Sequence, residues 1–148
     1  MKQAFTMIEL IFVILILGIL AVVAIPKLMA TRDDARIATM SQSISVAATE
    51  IASYAIAKGV IDSDLSVMSY AIKLMVNQGR ASVDDDGNAT FQMGETADCL
   101  IFIVEDGVLD ANLTLDYGVS NDPLCDDLQS FFDAREYPIP LKGARVVR

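Results

Sequence analysis

Residues 5–26 read FTMIELIFVILILGILAVVAIP, and the fold turns on them. From 10 to 25 every residue is apolar or glycine, and back to Phe5 only Thr6 and Glu9 interrupt the run. As a helix, 5–25 spans roughly 31 Å, close to the hydrocarbon thickness of a bilayer. Three readings meet here. A cleaved secretory signal peptide would start with the basic MKQA, but Glu9 stands at the head of its apolar run. The small-residue site at 22–24 would also leave Pro26 second in the product. A plain signal anchor gains little from charge counting, because Lys2 precedes the segment while Lys27, Arg32 and Arg36 follow it. The third reading gives Glu9 a partner. A carboxylate in hydrocarbon is kept when it is paired or working, and the apolar stretch holds no Lys or Arg. A plain anchor lets Glu9 reach interfacial water; the third reading needs a cationic partner from outside the stretch.

Composition narrows the rest. The chain has 148 residues, enough for one well-buried core. It has no His, which excludes Ser-His-Asp and Cys-His catalysis and removes the commonest metal ligand. Lys plus Arg is 11 against 20 Asp plus Glu, a net charge of −9, which argues against a basic-patch nucleic-acid binder. The charge is uneven: +1 over 1–30, zero over 31–83, −13 over 84–136 and +3 over 137–148. Fourteen scattered carboxylates in the acidic block form no catalytic constellation, and no Gly-rich nucleophile turn accompanies them. The chain therefore reads as a non-enzyme.

Beyond Pro26 the helical pattern becomes amphipathic. Ile37, Met40, Ile44, Ala48, Ile51 and Ala55 recur at i, i+3, i+4 spacing, and Gly59 is the expected stop. The spacing predicts one helix over 5–58, roughly 80 Å long, kinked at Pro26. A second helix is predicted over 62–78, capped by Asp62 or Ser63 and ended by Gly79, with Leu65, Met68, Ile72 and Met75 or Val76 inward. Its methionines read as core filling. Strands are predicted at 90–93, 99–104 and 113–117, with 108–109 in a hairpin and 146–147 as an edge. The fold class is α+β: a long N-terminal helix, apolar in its first half, packed against a small antiparallel sheet. Strand order is not deducible.

Ala4-Phe5-Thr6-Met7-Ile8-Glu9-Leu10, the apolar run and Pro26 together resemble the class III-type N-terminal signal of type IV prepilins and type II secretion pseudopilins. The resemblance is close over 1–58 and general beyond. It implies a leader at 1–4, a transmembrane and filament-core helix at 5–30, and a periplasmic or extracellular head at 31–148. It implies that a prepilin peptidase cuts between Ala4 and Phe5 and methylates the new Phe5 amine. Glu9 would then neutralise the Phe5 amine of a neighbouring subunit. Ala4 departs from the Gly usual in the family. Gly18 and Pro26 match its helix-weakening positions; Gly18 also fits close helix packing.

The partners so implied are copies of the chain in a helical filament, the peptidase, and an inner-membrane platform with its ATPase. The subunit would sit in the inner membrane, N-terminus cytoplasmic and head periplasmic, before joining a periplasmic or extracellular filament. The rival is a single-pass membrane-anchored periplasmic scaffold or binding module that never polymerises.

Cys99 and Cys125 are the only cysteines, and a head outside the cytoplasm would oxidise them, as pilins commonly do in this region. A two-Cys metal site would lack further soft ligands. No cofactor is expected. Calcium stays open through the resemblance alone, since major pseudopilins bind it in a head loop. Asp84-Asp85-Asp86-Gly87-Asn88 fails as an EF-hand: aligning Gly87 puts Ser82 first and Met93 last, where a carboxylate and a Glu belong. Its default is a solvated Asp-Gly turn. Asn88-Ala89-Thr90 and Asn112-Leu113-Thr114 are sequons, each with an Asp two residues upstream, which suits bacterial N-glycosylation. Both are expected near turns, and the default reading is that they are unused motifs. Lys142, Arg145 and Arg148 form a basic tail, either solvated or set against neighbouring acidic heads.

Overall fold

The computed structural model describes residues 6–106 and 111–141, apart from the side chains of Asp106 and Ala134. It has the expected α+β layout. The order is α1 (Met7–Lys58), α2 (Leu65–Met68), α3 (Tyr70–Asn77), β1 (Ala81–Val83), β2 (Ala89–Met93), β3 (Thr96–Asp106), β4 (Ala111–Tyr117), α4 (Pro123–Ser130) and β5 (Ile139–Pro140). A 3-10 turn, Ala134–Glu136, precedes β5. The expected strand pieces at 108–109 and 146–147 lie outside the described residues. Two compact units divide the chain, Met1–Arg36 and Ile37–Arg148.

The second unit is built on the amphipathic half of α1. The predicted stripe is buried: Ile37, Met40, Ile44, Ala48, Ile51 and Ala55 are all at 5% exposure or less, and Ala47 joins them. The helix ends as expected at Gly59, whose φ of +69° suits a residue without Cβ and whose N–H donates to Ala55 O at 2.9 Å. The sheet is a simple antiparallel meander in the order β1-β2-β3-β4-β5. Phe91 pairs with Leu100, Phe102 with Leu115 and Val104 with Leu113, so alternate residues of three strands face one core. The Phe91 and Phe102 rings meet edge to face, 5.1 Å between centroids.

The single helix expected at 62–78 is two helices, broken at Ser69. The apolar face continues through the break, with Leu65, Met68, Ile72 and Met75 all buried. Ser69 is extended (φ −132°, ψ 123°) and fully buried. Its Oγ accepts from Ile72 N–H at 3.2 Å and donates to Glu50 Oε2 at 2.7 Å; Ala71 N–H also donates to that oxygen, at 2.9 Å. A carboxylate on α1 thus caps α3, and this long-range bond outweighs local helix continuity. Asp64, not Asp62 or Ser63, caps α2 by accepting from Ser66 N–H at 2.7 Å. Ser69→Ala would remove a cap and one of the two hydrogen bonds to the half-buried Glu50 carboxylate. The expected cost is about 2 kcal/mol, a melting point roughly 8 °C lower, read by thermal unfolding of the solubilised chain.

α4 was not expected. Asp122 caps it through Leu124 N–H at 2.8 Å, and Pro123 opens it. The other Asp122 oxygen accepts from Glu95 N–H at 2.7 Å, tying the β2–β3 turn to α4. These N–H groups, Glu95 first and then Leu124, hold the Asp122 carboxyl below the usual range. Gly94, at φ +60°, lets the turn approach, since a Cβ there would collide with the Asp122 carboxylate.

Candidate functional site: the exposed apolar helix and its polar start

The first half of α1 has no core to join. An 18-residue apolar window of the helix is 0% buried, and the helix is long and apolar enough to cross a membrane. Ile8, Leu10, Phe12, Leu15, Ile19 and Val22 are between 56% and 76% exposed. A helix apolar all round does not stay in water; it is solvated by lipid or by other helices.

Its start is a capping box that the sequence reading missed. Thr6 N–H and Thr6 Oγ1 both donate to Glu9 Oε2, at 3.0 and 2.8 Å, and Glu9 N–H donates back to Thr6 Oγ1 at 3.3 Å. The S/T-x-x-E signature was legible as Thr6-Met7-Ile8-Glu9. Glu9 therefore has a partner inside its own chain. Both donors converge on Oε2, and among the described residues no bond is made to Oε1. Ala4 and Phe5, the expected processing pair, lie outside the described residues.

Among the described residues Gly18 packs against nothing. A Cβ there would meet nothing within 4 Å, and Gly inside a helix costs about 1 kcal/mol relative to Ala. It opens a notch between Ile14, Leu15, Ile19 and Val22 on the helix surface. Pro26 lies inside α1, and the helix continues past it. Arg36 pairs with Asp33 at 3.6 Å near the end of the first unit.

Cys99 and Cys125 are bridged, and both are fully buried. The bridge joins β3 to α4. Gln129 Nε2 reinforces it, donating to Cys99 O at 2.8 Å and Gly118 O at 3.0 Å. The bridged, buried sulfurs are structural, not ligands.

The acidic loop 84–88 is a closed turn between β1 and β2. Asp84 accepts from Asn88 N–H at 2.8 Å and Asn88 Nδ2 at 3.1 Å. Desolvation raises the Asp84 carboxyl, but these bonds, with the N–H groups of Asp86 and Gly87, hold it below the usual range. Gly87, at φ +87°, lies so close to Ser63 O that a Cβ would collide with it. Among the described residues no group of three His, Cys, Asp or Glu would hold a metal ion. Of the two sequons, Asn88 is half-buried with its amide engaged, and Asn112 lies within β4, paired to Glu105 and Pro140. The basic tail at 142–148 lies outside the described residues.

No protein-family model matches the chain, and neither curated proteins nor solved structures give a match.

Proposed function

We propose that this chain is the structural subunit of a type IV pilus-like filament or type II secretion pseudopilus. The observation that carries the reading is an entirely exposed apolar helix with one carboxylate, Glu9, at its head. In the membrane the helix anchors the subunit. Cleavage between Ala4 and Phe5 supplies an α-amine, and Glu9 of a neighbour neutralises it as apolar helices bundle into the filament core. The Thr6 cap is compatible with this role: it occupies one carboxylate oxygen and leaves Oε1 for the incoming amine. The disulfide supports a head in an oxidising compartment, outside the cytoplasm. No catalysis is required of the subunit.

One observation favours a second reading. Because Thr6 gives Glu9 Oε2 hydrogen bonds within its own chain, a membrane-anchored monomeric scaffold with Glu9 at the interface holds the carboxylate without a second subunit. Shearing and crosslinking whole cells together separate the two. The filament reading expects the chain in the sheared, pelletable fraction if the filament is extracellular, or in a crosslinked multimer ladder if it is periplasmic; the scaffold reading expects monomer in membranes alone.

A further inference from the structure

Two exposed features flank α1 within the second unit. On one side α3 is tied to it. Glu50 holds the start of α3, and the Arg80 guanidinium just beyond its end reaches Met40 Sδ at 3.5 Å. The outer face of α3 carries Tyr70, 71% exposed, and Leu74, 44% exposed, one turn apart. Lys73 stands exposed beside them, with no ion pair among the described residues. On the other side is an open groove of about 490 Å³. Ser41, Ser45, Ala48 and Ala52 form one wall, and Phe131 and Glu136 stand on the other. At 100° per residue, Glu50 beneath α3 and Ser45 in the groove are about 140° apart around α1. Ridge and groove are therefore different patches on opposite flanks.

We propose that the α3 ridge of one copy docks into this groove on the next. Tyr70 and Leu74 pack over the small-residue wall, and Lys73 meets Glu136. The shapes match: an aromatic and aliphatic ridge against a wall of Ser and Ala that lets it approach closely. The charges match as well. The cation lies in the neutral 31–83 block, and it meets the exposed cluster Asp133, Arg135 and Glu136, of net charge −1, within the block of net −13. Two unlike patches on one subunit make a heterologous contact, which propagates head to tail, into an open helix where its rotation does not close a ring, and does not stop at a two-fold dimer. The proposal rests on the filament reading and names the surface by which heads contact each other.

The test uses the full chain in cells that assemble it. Lys73→Glu and Glu136→Lys each set like charges together across the contact and are expected to lower sheared filament yield at least about tenfold. The double exchange restores it. Independently, Leu74→Cys with Ser45→Cys is expected to give a ladder of covalent multimers on mild oxidation, and neither single change does. Filaments unaffected by either charge exchange, together with no ladder, overturn the docking while the filament reading stands. A wild-type chain that neither enters the sheared fraction nor crosslinks into multimers in whole cells overturns both.

Discussion

Glu9→Gln is expected to leave membrane insertion intact and to abolish filament assembly. Gln keeps a side-chain oxygen that accepts from Thr6, and a capping box tolerates Gln as readily as Glu. It removes only the charge. If Glu9 serves solely as a helix cap, the substitution is silent. If it neutralises the α-amine of another subunit, the substitution leaves that amine unpaired among apolar helices, where an isolated charge is strongly disfavoured. The expected result is normal abundance in membranes and a sheared filament fraction at background. Glu9→Val removes the cap and the charge together, so it also loses filaments, but it does not separate the roles. Normal filaments from Glu9→Gln would reduce Glu9 to the cap seen with Thr6.

The second large effect concerns the head. Replacing Cys99 and Cys125 with Ala opens a loop of sequence separation 26. The chain-entropy model sets the loss near 3.5 kcal/mol, a melting point lower by roughly 14 °C for a unit of this size. Both sites are fully buried against β3 and α4, so Ala leaves no exposed thiol and no buried hydroxyl. α4 is expected to loosen first, because its remaining ties to the sheet are few: Asp122 to Glu95 N–H, and Gln129 to Cys99 O and Gly118 O. Denaturant unfolding of oxidised wild type against the double variant reads the difference. A loss under about 1 kcal/mol would mean that packing of Leu128 and its neighbours holds α4 without the bridge.

Much of the fold was legible because its signals are local. The stripe from Ile37 to Ala55 is a helical period, and every member is buried. Gly59 and Gly79 stop their helices at positive φ, as their positions suggested. The strands at 90–93, 99–104 and 113–117 lie within observed strands that are slightly longer. The misses have two causes. Some features are set by distant partners. Ser69 breaks a helical pattern because Glu50, 19 residues away, holds it. β5 is two residues long and exists through its pairing with Asn112 and Leu113. Other features were present and went unread. Asp122-Pro123 is a helix start hidden in an acidic stretch. Thr6-x-x-Glu9 is a capping box whose carboxylate also stands at the head of a membrane-length apolar run, so one residue carries two competing signals.

The central claim is that the chain is cut before Phe5 and carried into a filament. Intact mass spectrometry of the sheared and membrane fractions tests it most directly. The expected filament species begins at Phe5, carries one added methyl, and is two hydrogens lighter through the Cys99–Cys125 bridge. A single species that begins at Met1, present in membranes and absent from the sheared material, would contradict it. Ala4 would then block the cut, and the chain would be an anchored monomer.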